Sequence, residues 1–146
     1  MNMTIGEKRQ KLFELAKGKY FAFVDDDDDI SMNYINEIMT AIESNSDVIT
    51  FRQISFINGE PFQVNFSLKN ENEEAYKVNG VWQDINRKPF HVCVWKKKVC
   101  SGCFFPSINY GEDAFFAECA AKNAITETHI NKVLHYYNFD STLTRA

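Results

Sequence analysis

A chain of 146 residues that is 45% hydrophobic, with 13 Phe and 6 Tyr, is long enough to bury one core and too apolar to stay disordered. Its formal net charge of −4 sits largely in one aspartate run, and its only basic cluster, Lys96-Lys97-Lys98, is short, which argues against nucleic acid as a partner. No apolar stretch approaches the length of a membrane span and the N-terminus lacks an apolar signal region, so no transmembrane segment is expected.

Thr4-Ile-Gly-Glu7 has the form of a capping box, with Thr4 capping and Glu7 reaching back. Leu12, Leu15 and Ala16 supply a modest apolar face, and Gly18 stands where a helix C′ residue belongs, so a first helix of about three turns is expected. Lys8, Arg9, Lys11, Lys17 and Lys19 make this opening basic. Those charges are either a solvated helix face or, for Lys8 or Arg9, a contact to a phosphate group.

Tyr20-Phe21-Ala22-Phe23-Val24 then reads as a short buried strand, and Asp25-Asp26-Asp27-Asp28-Asp29 follows without a spacer. Carboxylates packed this closely repel one another and raise each other's pKa unless a cation sits among them. A strand that ends in carboxylates places them where open α/β sheets put their ligand crevice. The plain alternative is a solvated acidic turn that supplies capping charge to the next helix. The buried strand in front favours a divalent cation held by oxygen ligands and bridging to phosphate, Mg²⁺ or Mn²⁺ by ligand preference. An EF-hand loop is rejected, because Ile30 stands where its glycine belongs and Asn36 where its closing glutamate belongs.

Ser31 is the expected N-cap of a second helix, whose buried face is expected from Tyr34, Ile35, Ile38, Met39 and Ile42, with Asn45 and Ser46 ending it. Asp47-Val-Ile-Thr-Phe51 and Ile54-Ser-Phe-Ile57 read as strands, Asn58-Gly59 as a tight turn, and Phe62 to Leu68 as an alternating return strand. Residues 69–74 are polar and read as a mobile loop. Val81-Trp82 breaks that polarity, either as packed apolar surface or as the lining of an acceptor pocket. Phe90-His-Val-Cys-Val-Trp95 is expected as a strand and residues 106–110 as a loop. Ala114 to Asn123 is expected as a helix whose first turn holds Glu112 and Asp113, where the helix dipole favours charged carboxylates. Lys132-Val-Leu-His-Tyr-Tyr137 reads as a last strand and Asn138 to Ala146 as a polar tail. His135 in that strand is read as a packed core residue ahead of a metal ligand.

The cysteines are Cys93, Cys100, Cys103 and Cys119. Cys100-Ser-Gly-Cys103 has the spacing of half a zinc knuckle or a redox pair, but no second such pair exists and His91 and His129 sit at unhelpful spacings. Ordinary reduced thiols and, from them, a cytoplasmic location are therefore expected. No repeat and no linker appears, so residues 1–146 are expected to form a single domain. An excess of aromatics over what one core needs hints at a homo-oligomer contact.

These blocks, in this order, resemble the family 2 glycosyltransferases of the GT-A fold. Arg9-Gln-Lys-Leu-Phe-Glu-Leu-Ala16-Lys-Gly18-Lys-Tyr20 is similar to the family's "RN-x-(x)-l-x-x-A-x-G-x-Y" segment, with Gln10 in place of the usual Asn. Phe23-Val24-Asp25-Asp26-Asp27-Asp28 resembles its "FLDxDD", the DxD motif for metal and sugar-nucleotide diphosphate. Val94-Trp95-Lys96-Lys97 is similar to the "klyrr" stretch, and Gly111-Glu112-Asp113-Ala-Phe-Phe116 to "xEDxxf", whose Asp is the family's catalytic base. Leu134-His-Tyr-Tyr137 followed by Ser141-Thr142 resembles the closing "lYxYr…S" segment.

The resemblance covers roughly Gly6 to Thr142 and implies an α/β fold, a single-domain mixed sheet flanked by helices, truncated at the N-terminal strand "vSiiiPxYN" that holds the nucleotide base and ribose. It implies a nucleoside-diphosphate sugar as donor, a glycan or other hydroxyl as acceptor, and Mn²⁺ or Mg²⁺ as cofactor. The implied metal ligands are Asp25, Asp27 and Asp28, with Arg9, Asp25 and Asp26 toward the donor, and Asp113 with Glu112 as catalytic carboxylates. Inversion by a single in-line displacement is the implied chemistry. The alternative is a non-catalytic nucleotide-sugar or metal-binding remnant, or a fragment completed by a partner subunit; a third possibility is an interaction domain whose aspartates are only solvated charge.

Overall fold

The spine of the molecule is one ten-residue strand, β3 (Val48–Ile57), in a computed structural model that describes residues 2–142. Sequence patterning divides this stretch into two strands, but Arg52 and Gln53 carry the chain through a register irregularity against its partner. That partner is β9 (Glu127–Phe139), parallel to β3 along one whole edge. The other edge of β3 is shared by β8 (Val94–Lys96) and β4 (Glu60–Phe66), both antiparallel. β1 (Tyr20–Phe21) extends the sheet beyond β8, β7 (Ile85–Arg87) beyond β4, and β2 (Asp29–Ile30) beyond β9, giving a mixed sheet of seven strands. A separate hairpin, β5 (Lys77–Val78) with β6 (Val81–Trp82), stands beside it.

The period-2 alternation of β3 sends Val48 to one face and Ile49 and Phe51 to the other, so each face acquires its own core. On one face lie α1 (Ile5–Leu15) and α3 (Glu112–Asn123), with Phe116 stacked on Phe105 at 4.2 Å between ring centres and Phe13 5.3 Å from Phe116. On the other lies α2 (Tyr34–Ile42), packing Tyr34, Ile38 and Ala41 against Ile49, Phe51, Val94 and Leu134. This is the expected α/β arrangement of a mixed sheet flanked by helices.

Local signals translate directly. Glu7 N–H donates to Thr4 Oγ1 at 3.1 Å, the capping box that opens α1. Asn58 and Gly59 both take positive φ, 51° and 83°, the two-residue turn whose twist matches a hairpin of β3 and β4.

Several expectations are corrected. α1 ends at Leu15 with Ala16 in extended backbone as its C-cap, so Gly18 is not the C′ residue. Asn33, not Ser31, is the N-cap of α2, and Ser31 Oγ instead accepts from Asn33 N–H at 3.2 Å. Ile35 and Met39 are about 60% exposed, because a nine-residue helix lying across the sheet can bury only the Tyr34, Ile38, Ala41 stripe. Pairing within residues 20–24 and 90–95 is confined to Tyr20–Phe21 and to β8, since β8 offers only three residues to pair with. Asn138 and Phe139 belong to β9, and of the expected polar tail residues 143–146 lie outside the described residues. Residues 69–74 are tied down: Glu73 N–H donates to Asn86 O, Glu73 Oε1 accepts from Asn86 N–H, and Asn72 Oδ1 from Lys88 N–H. Trp82 packs on Phe62 at 5.5 Å between ring centres, with the Lys77 ammonium over the Trp82 ring, 4.8 Å from its centre.

The thiol expectation is also overturned. Cys103 is joined to Cys119, which packing of the 3-10 turn (Lys97–Cys100) and its exit loop against α3 brings within 5.7 Å Cα to Cα, while Cys93 and Cys100 are buried free thiols. The argument for a cytoplasmic location from reduced cysteines goes with it. Closing a loop of 16 residues in the unfolded chain is worth about 3 kcal/mol in the chain-entropy account. Thiol counting on the unreduced, denatured protein is therefore expected to find two free cysteines, and Cys119→Ser is expected to lower the melting temperature; four free thiols would refute the pairing. Among the described residues, no helix is long and apolar enough to cross a membrane.

Candidate active site

The site is assembled where the exit from β1, the start of α1, the loop before β8 and the start of α3 meet. Its placement begins at Gly6, whose N–H donates to Ile108 O at 2.9 Å. A Cβ at this position would lie 1.7 Å from Pro106 O, so only glycine allows α1 to dock this closely on the loop leading to α3. Gln10, which stands where the family motif has Asn, secures the same contact: its Oε1 accepts from Phe105 N–H at 2.8 Å.

One turn into α1, this docking sets Arg9 against both acidic elements. Its guanidinium lies 2.9 Å from Asp25 Oδ1 and 3.3 Å from Glu112 Oε1, and 5.5 Å from the centre of the Phe23 ring. Burial works against charge on Asp25, but the His91 imidazole facing it and the hydrogen-bonded Arg9 guanidinium outweigh that and hold the carboxyl well below the usual carboxylate range. Glu112 is 5% exposed and faces Arg9 from the first turn of α3. Asp113, next along, is partly exposed; its Oδ1 accepts from Ala114 N–H at 2.7 Å. Gly111, at φ 86°, is the N-cap that turns the chain into α3 just ahead of this pair.

The five aspartates thus separate into different environments. Asp25 is ion-paired, while Asp26, Asp27 and Asp29 are exposed. Asp28 N–H donates to Asp25 O at 3.0 Å, closing a turn, and Asp28 itself is buried, its Oδ1 accepting from Asn138 N–H at 3.1 Å. Its Oδ2 faces His135 Nε2 at 3.6 Å. The run is therefore part structured turn and part exposed surface, rather than solvated charge alone.

His135 is fully buried. Gln53 donates through Nε2 to Ser55 Oγ, which leaves its Oε1, 2.8 Å away, to accept from His135 Nδ1. Burial, with the nearby His91, pushes the His135 imidazole down from 6.5 to about 4. The unfolded chain then binds this proton more readily, so the stabilisation is complete above pH 6.5 and is lost as pH falls toward about 4. Denaturant unfolding followed across that window is expected to show this slope, and His135→Gln to flatten it; an unchanged slope would remove His135 from the account.

Sequence reading passed over His91, weighed only as a zinc ligand at an unhelpful spacing from Cys100 and Cys103. It is 4% exposed and lies between the two acidic elements: Nε2 is 3.7 Å from Asp25 Oδ2 and Nδ1 is 3.9 Å from Asp113 Oδ2. The available signal was a lone imidazole in an otherwise apolar run, Pro89-Phe90-His91-Val92.

As a metal centre, the described residues offer no cluster of three His, Cys, Asp or Glu side chains able to hold an ion by themselves. Asp25 and the exposed Asp27, two residues apart along the chain, are nevertheless oxygen donors of the kind a hard cation prefers. Two carboxylates alone do not make an all-protein cage, so an ion held here would need further oxygens from outside the protein.

The pattern of glycosyl transferase family 2 matches residues 2–107. The chain belongs to that family. The matched stretch takes in Arg9, the aspartate run and His91, and ends before Glu112 and Asp113. No match was found among curated proteins. Among solved structures, S. aureus TarS is similar in fold, with a TM-score of 0.65 at 17% identity over 93% of this chain and 24% of that one. TarS 1–349 in complex with UDP-GlcNAc gives a TM-score of 0.67 at 18% identity over 97% of this chain and 41% of that one. TarS 1–349 in complex with UDP gives 0.63 at 17% identity, over 93% and 40%. This chain thus spans between a quarter and two-fifths of the length of those TarS chains. The likeness establishes a GT-A-like fold.

Proposed function

We propose that residues 1–146 act as one glycosyltransferase unit that transfers a sugar from a nucleoside-diphosphate sugar to an acceptor hydroxyl with inversion. The observation that carries this reading is the convergence of Asp25, from the aspartate run, and Asp113, from the start of α3, on the two sides of one buried histidine. In-line displacement needs that layout, with charge neutralised on the leaving diphosphate and a base on the opposite face of the anomeric carbon.

In this reading Asp25 and Asp27 hold a Mg²⁺ or Mn²⁺ ion, with Asp28 supporting the turn from beneath and Asp26 facing the donor. When bound, the ion neutralises charge that develops on the diphosphate oxygens. Arg9 fixes Asp25 and draws Glu112 into the same network, and in this reading its charge also serves the donor phosphates. Asp113 accepts the proton of the acceptor hydroxyl. The UDP and UDP-GlcNAc complexes of TarS 1–349 support a uridine diphosphate sugar as donor.

A ligand that binds only the folded state raises the melting temperature. Mn²⁺ with UDP is therefore expected to stabilise the protein more than Mn²⁺ alone, and GDP less than UDP, in a thermal-shift series. No shift with either nucleotide from a well-folded sample would overturn the donor assignment. A shift without any donor turnover would favour a non-catalytic binding module.

A further inference from the structure

His91 occupies the turn just ahead of β8, closed by Cys93 N–H donating to Phe90 O at 3.0 Å. Phe90 lies 4.9 Å and Phe23 6.1 Å from its ring centre, and the side chain is almost entirely buried. In this apolar setting an imidazole carries a desolvation cost that a leucine or phenylalanine of similar volume would not. Among the described residues, neither ring nitrogen has a hydrogen-bond partner. Both instead aim at carboxylates, Nε2 at Asp25 and Nδ1 at Asp113, with Arg9 and Glu112 completing a continuous line from Glu112 through Arg9, Asp25 and His91 to Asp113.

We propose that His91 is a positioning residue that ties the donor-side carboxylate Asp25 to the acceptor-side carboxylate Asp113 and sets their separation. The proposal rests on the glycosyltransferase reading for its purpose, but not for its geometry. The two nitrogen-to-oxygen gaps exceed hydrogen-bond length in the free protein, and such contacts tighten when substrate closes a site. Bridged in this way, Asp113 is held in register with the anomeric carbon that the donor site presents, and small misplacements of such a group cost about 100-fold in rate.

The test has two arms. In the kinetic arm, donor turnover by His91→Ala is expected to fall roughly 100-fold in kcat with little change in donor KM. His91→Gln, which keeps one N–H donor, is expected to recover part of that loss. A kcat per folded molecule equal to wild type in His91→Ala would overturn the proposal, as would a loss confined to melting temperature. In the spectroscopic arm, the ¹⁵N resonances of the His91 ring are recorded in the unliganded protein. Asp25→Asn is expected to move chiefly Nε2, and Asp113→Asn chiefly Nδ1; a ring that responds to neither substitution would overturn the bridge. If wild type turns over no nucleoside-diphosphate sugar, the glycosyltransferase reading fails, and the ring resonances still decide the bridge.

Discussion

Asp113→Asn is expected to lower transfer by about 10²–10⁴-fold, the usual contribution of a positioned general base, while nucleotide-dependent stabilisation stays as in wild type. The substitution keeps the shape of the side chain and the acceptor oxygen that caps Ala114 N–H, so α3 begins as before. It removes the charge that would take the hydroxyl proton. Donor turnover measured beside thermal shift with Mn²⁺ and UDP separates the two effects. Glu118, exposed farther along α3 and paired among the described residues with Lys122, provides the control: Glu118→Gln should leave both measurements unchanged. Full activity in Asp113→Asn would transfer the base role elsewhere, and Glu112 would not be the first choice, since it is buried against Arg9.

Arg9→Met is expected to destabilise the fold by up to about 3 kcal/mol, the low end of what a buried pair loses, because removing one partner of a partly buried ionic network leaves the others charged and uncompensated. The methionine fills most of the arginine stem volume, so the loss reports charge rather than a cavity. Asp25 and the nearly buried Glu112 would then face each other across the vacated guanidinium. Chemical denaturation measures the effect, and Glu112→Gln added to Arg9→Met should recover part of it by removing one of the stranded charges. A single variant as stable as wild type would mean that solvent, and not Arg9, compensates these carboxylates. The same variant should bind nucleotide less well, since Asp25 would lose the partner that holds its position.

How far the sequence reaches can be judged from particular residues. The Thr4 and Glu7 capping box, the Asn58-Gly59 hairpin and the start of α3 at Glu112 are all legible, because each depends on residues within about one turn of one another. The aspartate run and the Glu112-Asp113 pair are legible as chemistry, because their residue types and order carry the family motif. The burial of α2 was only half legible: apolar spacing names a face, but how much of it is covered depends on how the helix lies across β3 and β9. The disulfide was not legible, since Cys100 competes with Cys119 for Cys103 on sequence spacing, and only the packing of α3 decides between them.

The sequence by itself determined the three helices, the main strands, the family and the chemical identity of the acidic groups, because these follow from local backbone preference, apolar period and motif order. Tertiary structure alone decided what each acidic group meets. Asp25 and Asp28 lie only a turn apart, yet one meets Arg9 and the other Asn138, through contacts with chain segments far away in sequence. His91 acquires its place between Asp25 and Asp113 in the same way, by the docking of Gly6 on the Pro106 loop and of α3 against α1. Charge state and orientation are set by neighbours in space, and a sequence lists its neighbours only along the chain.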